Sequence, residues 1–311
     1  MEEKLIKKDE IIMGLLVPRA NTYTIPLTKR QLIAERYQRI TRAINREFWN
    51  SESDTAHSLY VGSYGRGTAI STSDIDIIVE LPMAEFDRFK NYLSNGPSKL
   101  LQVIKNAFQE ILPNSDIRAD GQVVKINFHD GIKFEIVPAF NEKDYWGESK
   151  GFIYPDSNMG GNWKATNPKK EQEAMKLKNT KSNNLLYATC KHFRHVRDTE
   201  FTSYHLSGIV IDSFVYEAMG NWKFVENNSG GQNISSVSYE TALLEYYNSH
   251  KVMGGLNLYS PGSNQFVNSD SSIICLEKVL KKNSFIKFYG GTTWETKKSA
   301  WKFNYVKHMD E

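Results

Sequence analysis

Two aspartates one residue apart, Asp74 and Asp76, lead the apolar run Ile75 to Leu81. On a strand, side chains two positions apart point to the same face, so this spacing brings two carboxylates together. Adjacent negative charges repel unless a cation neutralises them, and hard divalent ions such as magnesium favour oxygen ligands of this kind. A solvated Asp pair on a surface strand or turn is the alternative reading. Upstream lies Gly62-Ser63-Tyr64-Gly65-Arg66-Gly67-Thr68. Its glycines let backbone N–H groups approach a ligand closely, and the Ser63 and Thr68 hydroxyls can donate where phosphates would lie. A glycine-rich turn followed by a DxD strand stands in the order needed to present a triphosphate to a metal. No GxxxxGK[ST] pattern occurs, which removes the P-loop reading.

A site with two metal ions needs a further carboxylate for the ion that activates the attacking hydroxyl. In Ile132-Lys133-Phe134-Glu135-Ile136-Val137-Pro138, alternation places Phe134 and Ile136 on one face and Glu135 on the other. Asp120 and Asp130 are the nearby competitors. Asp130 falls in the hairpin turn His129-Asp130-Gly131 and Asp120 in an Asp-Gly turn, whereas Glu135 sits mid-strand. An ordinary exposed Glu on a half-buried strand remains the alternative.

Those residues need a frame. Leu32, Ile33, Tyr37, Ile40, Ala43, Ile44 and Phe48 recur at three- and four-residue steps, which predicts a long amphipathic helix from Thr28 to Trp49. A second helix is expected over Lys99 to Ile111, ended by Pro113 and Asn114, and two alternating strands over Gln122 to Phe128 and Ile132 to Phe140. After Pro155 the composition turns to Gly, Asn and Pro through Gly160-Gly161-Asn162-Trp163 and Asn167-Pro168, which marks an expected crossing between lobes. Beyond it, Ser182 to Arg197, Tyr204 to Met219 and Tyr239 to Tyr247 read as helices.

The 311 residues suffice for one large domain or two packed lobes, and 40% hydrophobic with 24% charged residues is ordinary globular usage. Cys190 and Cys275 lie in no zinc-like spacing, which suits a reducing cytoplasm. The apolar run Ile11 to Val17 is too short to span a bilayer, so no membrane association is expected. A net charge of +3, from 39 basic and 36 acidic residues, suits a small anionic ligand better than long nucleic acid. The basic runs Lys191 to Arg197 and Lys297 to Lys302 read by default as solvated helix faces.

These segments resemble the bacterial cGAS/DncV-like nucleotidyltransferases of the polymerase-β-like superfamily, which make cyclic dinucleotide or oligonucleotide messengers. The resemblance rests on Gly62 to Ile70, Ser73-Asp74-Ile75-Asp76-Ile77, Phe134 to Phe140, Gly160 to Trp163, Asn167-Pro168 and Thr202-Ser203-Tyr204-His205-Leu206. It implies an α+β fold: a mixed-sheet nucleotidyltransferase lobe over residues 1–155 and a mainly helical nucleotide-binding lobe over 156–311, with the active site in the cleft between them. It also implies that Gly62 and Ser63 bind triphosphate and that Asp74, Asp76 and Glu135 hold two Mg2+ ions, replaceable by Mn2+. Lys191, Ser203 and Tyr204 would meet the donor nucleotide, Tyr204 by stacking. For Lys191 a solvated face, and for Tyr204 a core aromatic, stay open. Many relatives carry Asp where this chain has Glu135. The implied reaction joins nucleoside triphosphates, ATP and GTP among the candidates, in bacterial antiphage (CBASS-type) defence, with an activating partner protein and a separate effector for the product. A template-independent transferase acting on RNA or protein, and a catalytically silent nucleotide sensor, are the alternatives.

Overall fold

The three- and four-residue apolar spacing after Thr28 closes one face of a helix, α1 (Leu27–Trp49), which buries Ile33, Ile40, Ala43 and Ile44. Asn50 ends it in the left-handed region at φ 48°, returning its N–H to the Asn45 carbonyl, a common device for satisfying a last turn. The computed structural model describes residues 23–224, 239–251 and 255–288. The runs Ile11 to Val17 and Lys297 to Lys302 lie outside them.

A seven-stranded mixed sheet follows, with strands β1 (Ser58–Tyr60), β2 (Ile75–Glu80), β3 (Asp116–Asp120), β4 (Val123–Asn127), β5 (Lys133–Lys143), β6 (Ser149–Asp156) and β7 (Asn162–Thr166). The order is β1-β2-β5-β4-β3, with β6 on the far half of β5 and β7 beyond it. β2 and β5 are parallel and the other pairs antiparallel. Between β1 and β2 the glycine-rich segment winds into a single helical turn, α2 (Gly62–Gly65). Helices α3 (Met83–Lys90) and α4 (Gly96–Ile111) precede β3. α4 starts three residues earlier than its apolar spacing suggests, because Asn95 accepts from the Ser98 N–H and Pro97 suits a first turn. Ile75, Ile77, Val79, Phe134, Ile136, Val124 and Ile126 point from the sheet into one core with α1 and α4.

The chain then forms α5 (Pro168–Lys181), α6 (Leu185–Glu200), α7 (Gly208–Ala218), α8 (Tyr239–His250), the small pair β8 (Leu258–Tyr259) and β9 (Phe266–Val267), and α9 (Ile273–Phe288). These elements enclose a separate core of Leu186, Phe193, Val210, Phe214, Tyr247 and Leu276 with their neighbours. Among the described residues no helix is long and apolar enough to cross a membrane.

Several expectations need correction. Gly160 to Trp163 does not cross to the second lobe but leads into β7, which pairs with β6, and Trp163 packs edge-on against Phe86 and Phe140. The sheet therefore runs past residue 155 to Thr166, and Asn167 caps α5 by accepting from the Lys170 N–H. Polar spacing hid α5 itself. The helix expected from Tyr204 begins only at Gly208, so Ser203 and Tyr204 lie in the loop before it. Asp74 lies just ahead of β2 rather than within it.

Candidate active site

The parallel pairing of β2 with β5 sets Asp76 directly beside Glu135. Neighbouring strands stand roughly 4.8 Å apart, so the two carboxylates share one edge of the polar face. Period-two alternation explains the exposure: Ile75, Ile77, Phe134 and Ile136 turn inward while Asp76 and Glu135 stay partly open. Asp74, two positions back, is exposed at the strand's entrance. The structure thus brings Asp74, Asp76 and Glu135 to one end of one strand pair.

Their charges are poorly balanced. Burial pushes Asp76 up to about 7, and the Glu135 carboxylate and Asp74 push the same way while Arg66 and Arg194 oppose them. Lys125, across from Glu135 on β4, stands 3.4 Å from Glu135 Oε1 and 2.9 Å from Asp120 Oδ2. Its ammonium is held above the usual lysine range first by the hydrogen bond to Asp120 and also by Glu135, against burial. Asp130 is taken up by an ion pair with Arg36. Glu135 thus lies beside Asp76 while contacting Lys125, and among the described residues no three histidine, cysteine, aspartate or glutamate side chains gather tightly enough to hold a metal ion. The donor set still suits a hard divalent cation. It is all carboxylate, and Asp76 is raised first by its burial and then by the neighbouring Glu135 carboxylate.

The turn α2 packs onto this edge. A methyl group at Gly62, where φ is +56°, would stand 1.8 Å from Asp76 Oδ2, so only glycine lets the backbone come so close. The N–H groups of Gly65, Arg66, Gly67, Thr68 and Ala69 are all consumed inside the turn, by Val61, Gly62, Tyr64 and twice by Ser63 carbonyls. The open donors are therefore at its start, with Gly62 and Ser63. Gly65 and Gly67 serve packing: side chains there would meet Gln172 and Tyr187 of the helical lobe. Thr68 is likewise not a phosphate donor. It is fully buried, with its hydroxyl 3.0 Å from Asp212 Oδ2.

That contact belongs to a buried ionic array that the motif reading missed. Arg66 donates through Nε to Asp212 Oδ2 and through Nη1 to Glu171 Oε2, both at 2.9 Å. Arg194 reaches Asp212 with Nη1 at 2.7 Å and Nη2 at 2.9 Å, and also donates to the Gly208 carbonyl. Burial opposes the Asp212 charge, but Arg194 and Arg66 outweigh it and hold the carboxyl below its ordinary range. A lone Asp in the apolar run Ile209 to Val215 was the sequence signal for it.

On the helical lobe, Lys191 is half-buried on α6, one turn before Arg194, with its ammonium lowered by burial and by Arg194. Arg194 is itself buried, so this basic run is an inward face rather than a solvated one. Tyr204 is 41% exposed, which removes the core-aromatic reading, and the Lys278 ammonium lies 4.7 Å from its ring centre. Ser203 is exposed beside it. Thr72, two residues before Asp74, donates to Asp198 of α6 at 2.6 Å, and Arg197 donates to the Leu206 carbonyl. These contacts tie the Ser203–Tyr204 loop to the side of the molecule that carries Asp74.

The family model for the Second Messenger Oligonucleotide or Dinucleotide Synthetase domain matches residues 21–179, slightly more than half the chain. The chain belongs to this family. It is a nucleotidyltransferase of the class that produces cyclic oligonucleotides. No curated protein matches the sequence. The fold of this synthetase is that of solved cyclic dinucleotide synthases. The CdnE cyclic dinucleotide synthase of Elizabethkingia meningoseptica, solved with GTP and Apcpp, aligns over 91% of this chain and 99% of its own at TM-score 0.57 and 16% identity. The CdnE c-UMP-AMP synthase of Rhodothermus marinus, solved with Apcpp and Upnpp, aligns over 91% and 98% at 0.59 and 14%. The E. coli MS115-1 CdnC:HORMA-deltaN complex aligns over 91% and 94% at 0.60 and 12%.

Proposed function

We propose that this synthetase condenses nucleoside triphosphates, ATP among them, into a cyclic di- or oligonucleotide, with divalent metal and release of pyrophosphate, in bacterial antiphage defence of the CBASS type. The observation that carries this reading is the pairing of Asp76 with Glu135 beneath a turn whose Gly62 backbone packs on the Asp76 carboxylate. Asp74, Asp76 and Glu135 are the residues that would hold magnesium, or manganese in its place. Bound there, the cation supplies charge neutralisation and Lewis acidity to the triphosphate and the acceptor hydroxyl.

Gly62 and Ser63 grip the triphosphate through the open end of α2, and Lys191 offers a positive charge from the helical lobe. Ser203 supports the donor phosphates, and Tyr204 presents an exposed ring on which the donor base can stack. The acceptor ribose oxygen forms a bond to the α-phosphorus, the bond from that phosphorus to the bridging oxygen breaks, and pyrophosphate leaves with the electron pair. The acceptor proton is lost to solvent, and a further attack closes the ring. We take the catalytic lobe as the residues up to Thr166, where β7 closes its sheet beyond the boundary expected near 155, and the nucleotide-binding lobe as the remainder. Cytoplasmic location suits the two free, buried cysteines. The HORMA-bound relative raises an activating protein partner for this chain too, and the product would act through a separate effector.

Incubation with each labelled triphosphate and magnesium, then phosphatase and mass spectrometry, tests the proposal. A small phosphatase-resistant cyclic product is expected. Label retained only on RNA or protein would replace cyclisation by macromolecular transfer, and absence of pyrophosphate with all four triphosphates would leave a nucleotide sensor.

A further inference from the structure

The glycine-rich turn is held at both ends. At its start Gly62 abuts Asp76, and just past its end Arg66 and Thr68 are bonded to Asp212 of α7. The same carboxylate takes both terminal nitrogens of Arg194, which sits one helical turn beyond Lys191 on α6. One side chain is therefore the anchor for the turn that carries Ser63 and for the helix that carries Lys191. Asp212 has no exposed surface, and its two oxygens accept four hydrogen bonds from three residues. Charge-assisted bonds in this number fix direction as well as distance, so neither element can shift without breaking several of them. A buried ion pair adds little net stability over an apolar replacement, which makes geometry the property such an array supplies.

We infer that Asp212, acting through Arg66, Thr68 and Arg194, is a positioning residue that sets the separation between Ser63 and Lys191, the two arms of the triphosphate grip. This rests on the assignment of Ser63 and Lys191 made above. Arg66 and Thr68 belong to the segment between β1 and β2, and Asp212, Arg194 and Glu171 to the helices α7, α6 and α5, so the array also links the sheet to the helical core. The role differs from that of a metal ligand, because the array's carboxylate is wholly consumed by the protein's own donors.

The test is a thermodynamic cycle read by titration with non-hydrolysable ATP and GTP analogues in magnesium. Ser63→Ala and Lys191→Ala are each made in the native background, in Thr68→Val, which removes the hydroxyl's bond to Asp212 and its longer one to the Ser63 carbonyl while keeping shape, and in Arg66→Lys, which leaves the Thr68 hydroxyl in place. In the native background each alanine should weaken the better-bound analogue by about tenfold or more, the worth of one hydrogen bond to a charged group. In the Thr68→Val and Arg66→Lys backgrounds the same alanines should weaken binding by less than about twofold, because a displaced turn no longer presents Ser63 to the ligand. Equal factors in all backgrounds, in proteins that melt cooperatively, would overturn the inference and leave the array a structural brace. If Arg66→Lys shows no cooperative melt, the Thr68→Val cycle alone decides. If the alanines have no effect in the native background, the triphosphate assignment itself is wrong and the inference falls with it, a result distinct from additivity.

Discussion

Asp76 and Asp212 both lie against the glycine-rich turn, the first partly open and the second fully buried, and their surroundings are opposite. Asp212 meets two guanidinium groups and a hydroxyl, and its carboxyl is held low. Asp76 meets the edge of Gly62, with Glu135 beside it and Asp74 close by, and is pushed up to about 7. The first region is electrically closed by the chain itself. In the second, Lys125 pairs with Glu135, and Arg66 and Arg194 only partly offset the burial and like charge acting on Asp76. The fold neutralises one aspartate with its own guanidinium groups and leaves the other raised by burial and by like charge.

The largest expected effect comes from removing the Asp76 carboxylate. Asp76→Asn should lower turnover by about a thousandfold or more, since a metal ligand supplies several kcal/mol of transition-state stabilisation. Its stability should move the other way. The ordinary carboxyl value is 3.8 and the folded value about 7, so across that window the native protein holds a proton that the unfolded chain has released. Stability contributed by Asp76 therefore falls as pH rises from about 4 to about 7 and stays low above it. Without divalent ions, Asp76→Asn should melt above the parent at pH 8, with the gap closing as pH approaches 4. A lower melting temperature at pH 8 would mean that ionised Asp76 carries no penalty from burial and like charge.

Asp212→Ala should have the next largest effect and act on folding. It leaves Arg194 buried without a carboxylate and Arg66 paired with Glu171 instead of two carboxylates, at a cost of about 3–5 kcal/mol, measurable by urea denaturation. A loss under about 1 kcal/mol would erase the contrast between the two regions.

Tyr204→Ala should raise the Michaelis constant of the preferred donor by the equivalent of about 1–3 kcal/mol of stacking, with the melt unchanged because the ring is 41% exposed. Tyr204→Phe should be mild. Equal kinetics for both variants and the parent would remove Tyr204 from the base site.

Asp120→Asn should be smallest, leaving turnover within about tenfold, or roughly 1.4 kcal/mol. Its carboxylate binds Lys125 and reaches Asp76 only through that lysine and Glu135. An Asp120→Asn protein without product would move the third metal ligand from Glu135 to Asp120.

Much of the Asp76–Glu135 edge was legible because its signals are local. Alternation around Glu135 and the Ile-rich run after Asp74 report which side of a strand each residue occupies, and the sheet preserves that alternation. The segment from Gly160 to Thr166 misled for the same reason, since glycines and asparagines mark a bend without saying whether the chain leaves the sheet or returns to it as β7. Helix α5 was hidden because few of its residues are buried, and Tyr204 looked helical only because apolar residues follow it.

The sequence by itself, through residue type, short-range spacing and the family resemblance, put forward Gly62, Ser63, Asp74, Asp76 and Glu135 as the side chains to carry the chemistry. Tertiary structure alone decided that β5 lies parallel beside β2, placing Glu135 next to Asp76 across 58 intervening residues. It also decided that Arg66, Thr68 and Arg194 converge on Asp212. The reason is physical. Alternation and glycine content act within a few residues and are written locally, whereas strand neighbours and buried ion pairs are chosen by which distant surfaces the whole chain can close against one another.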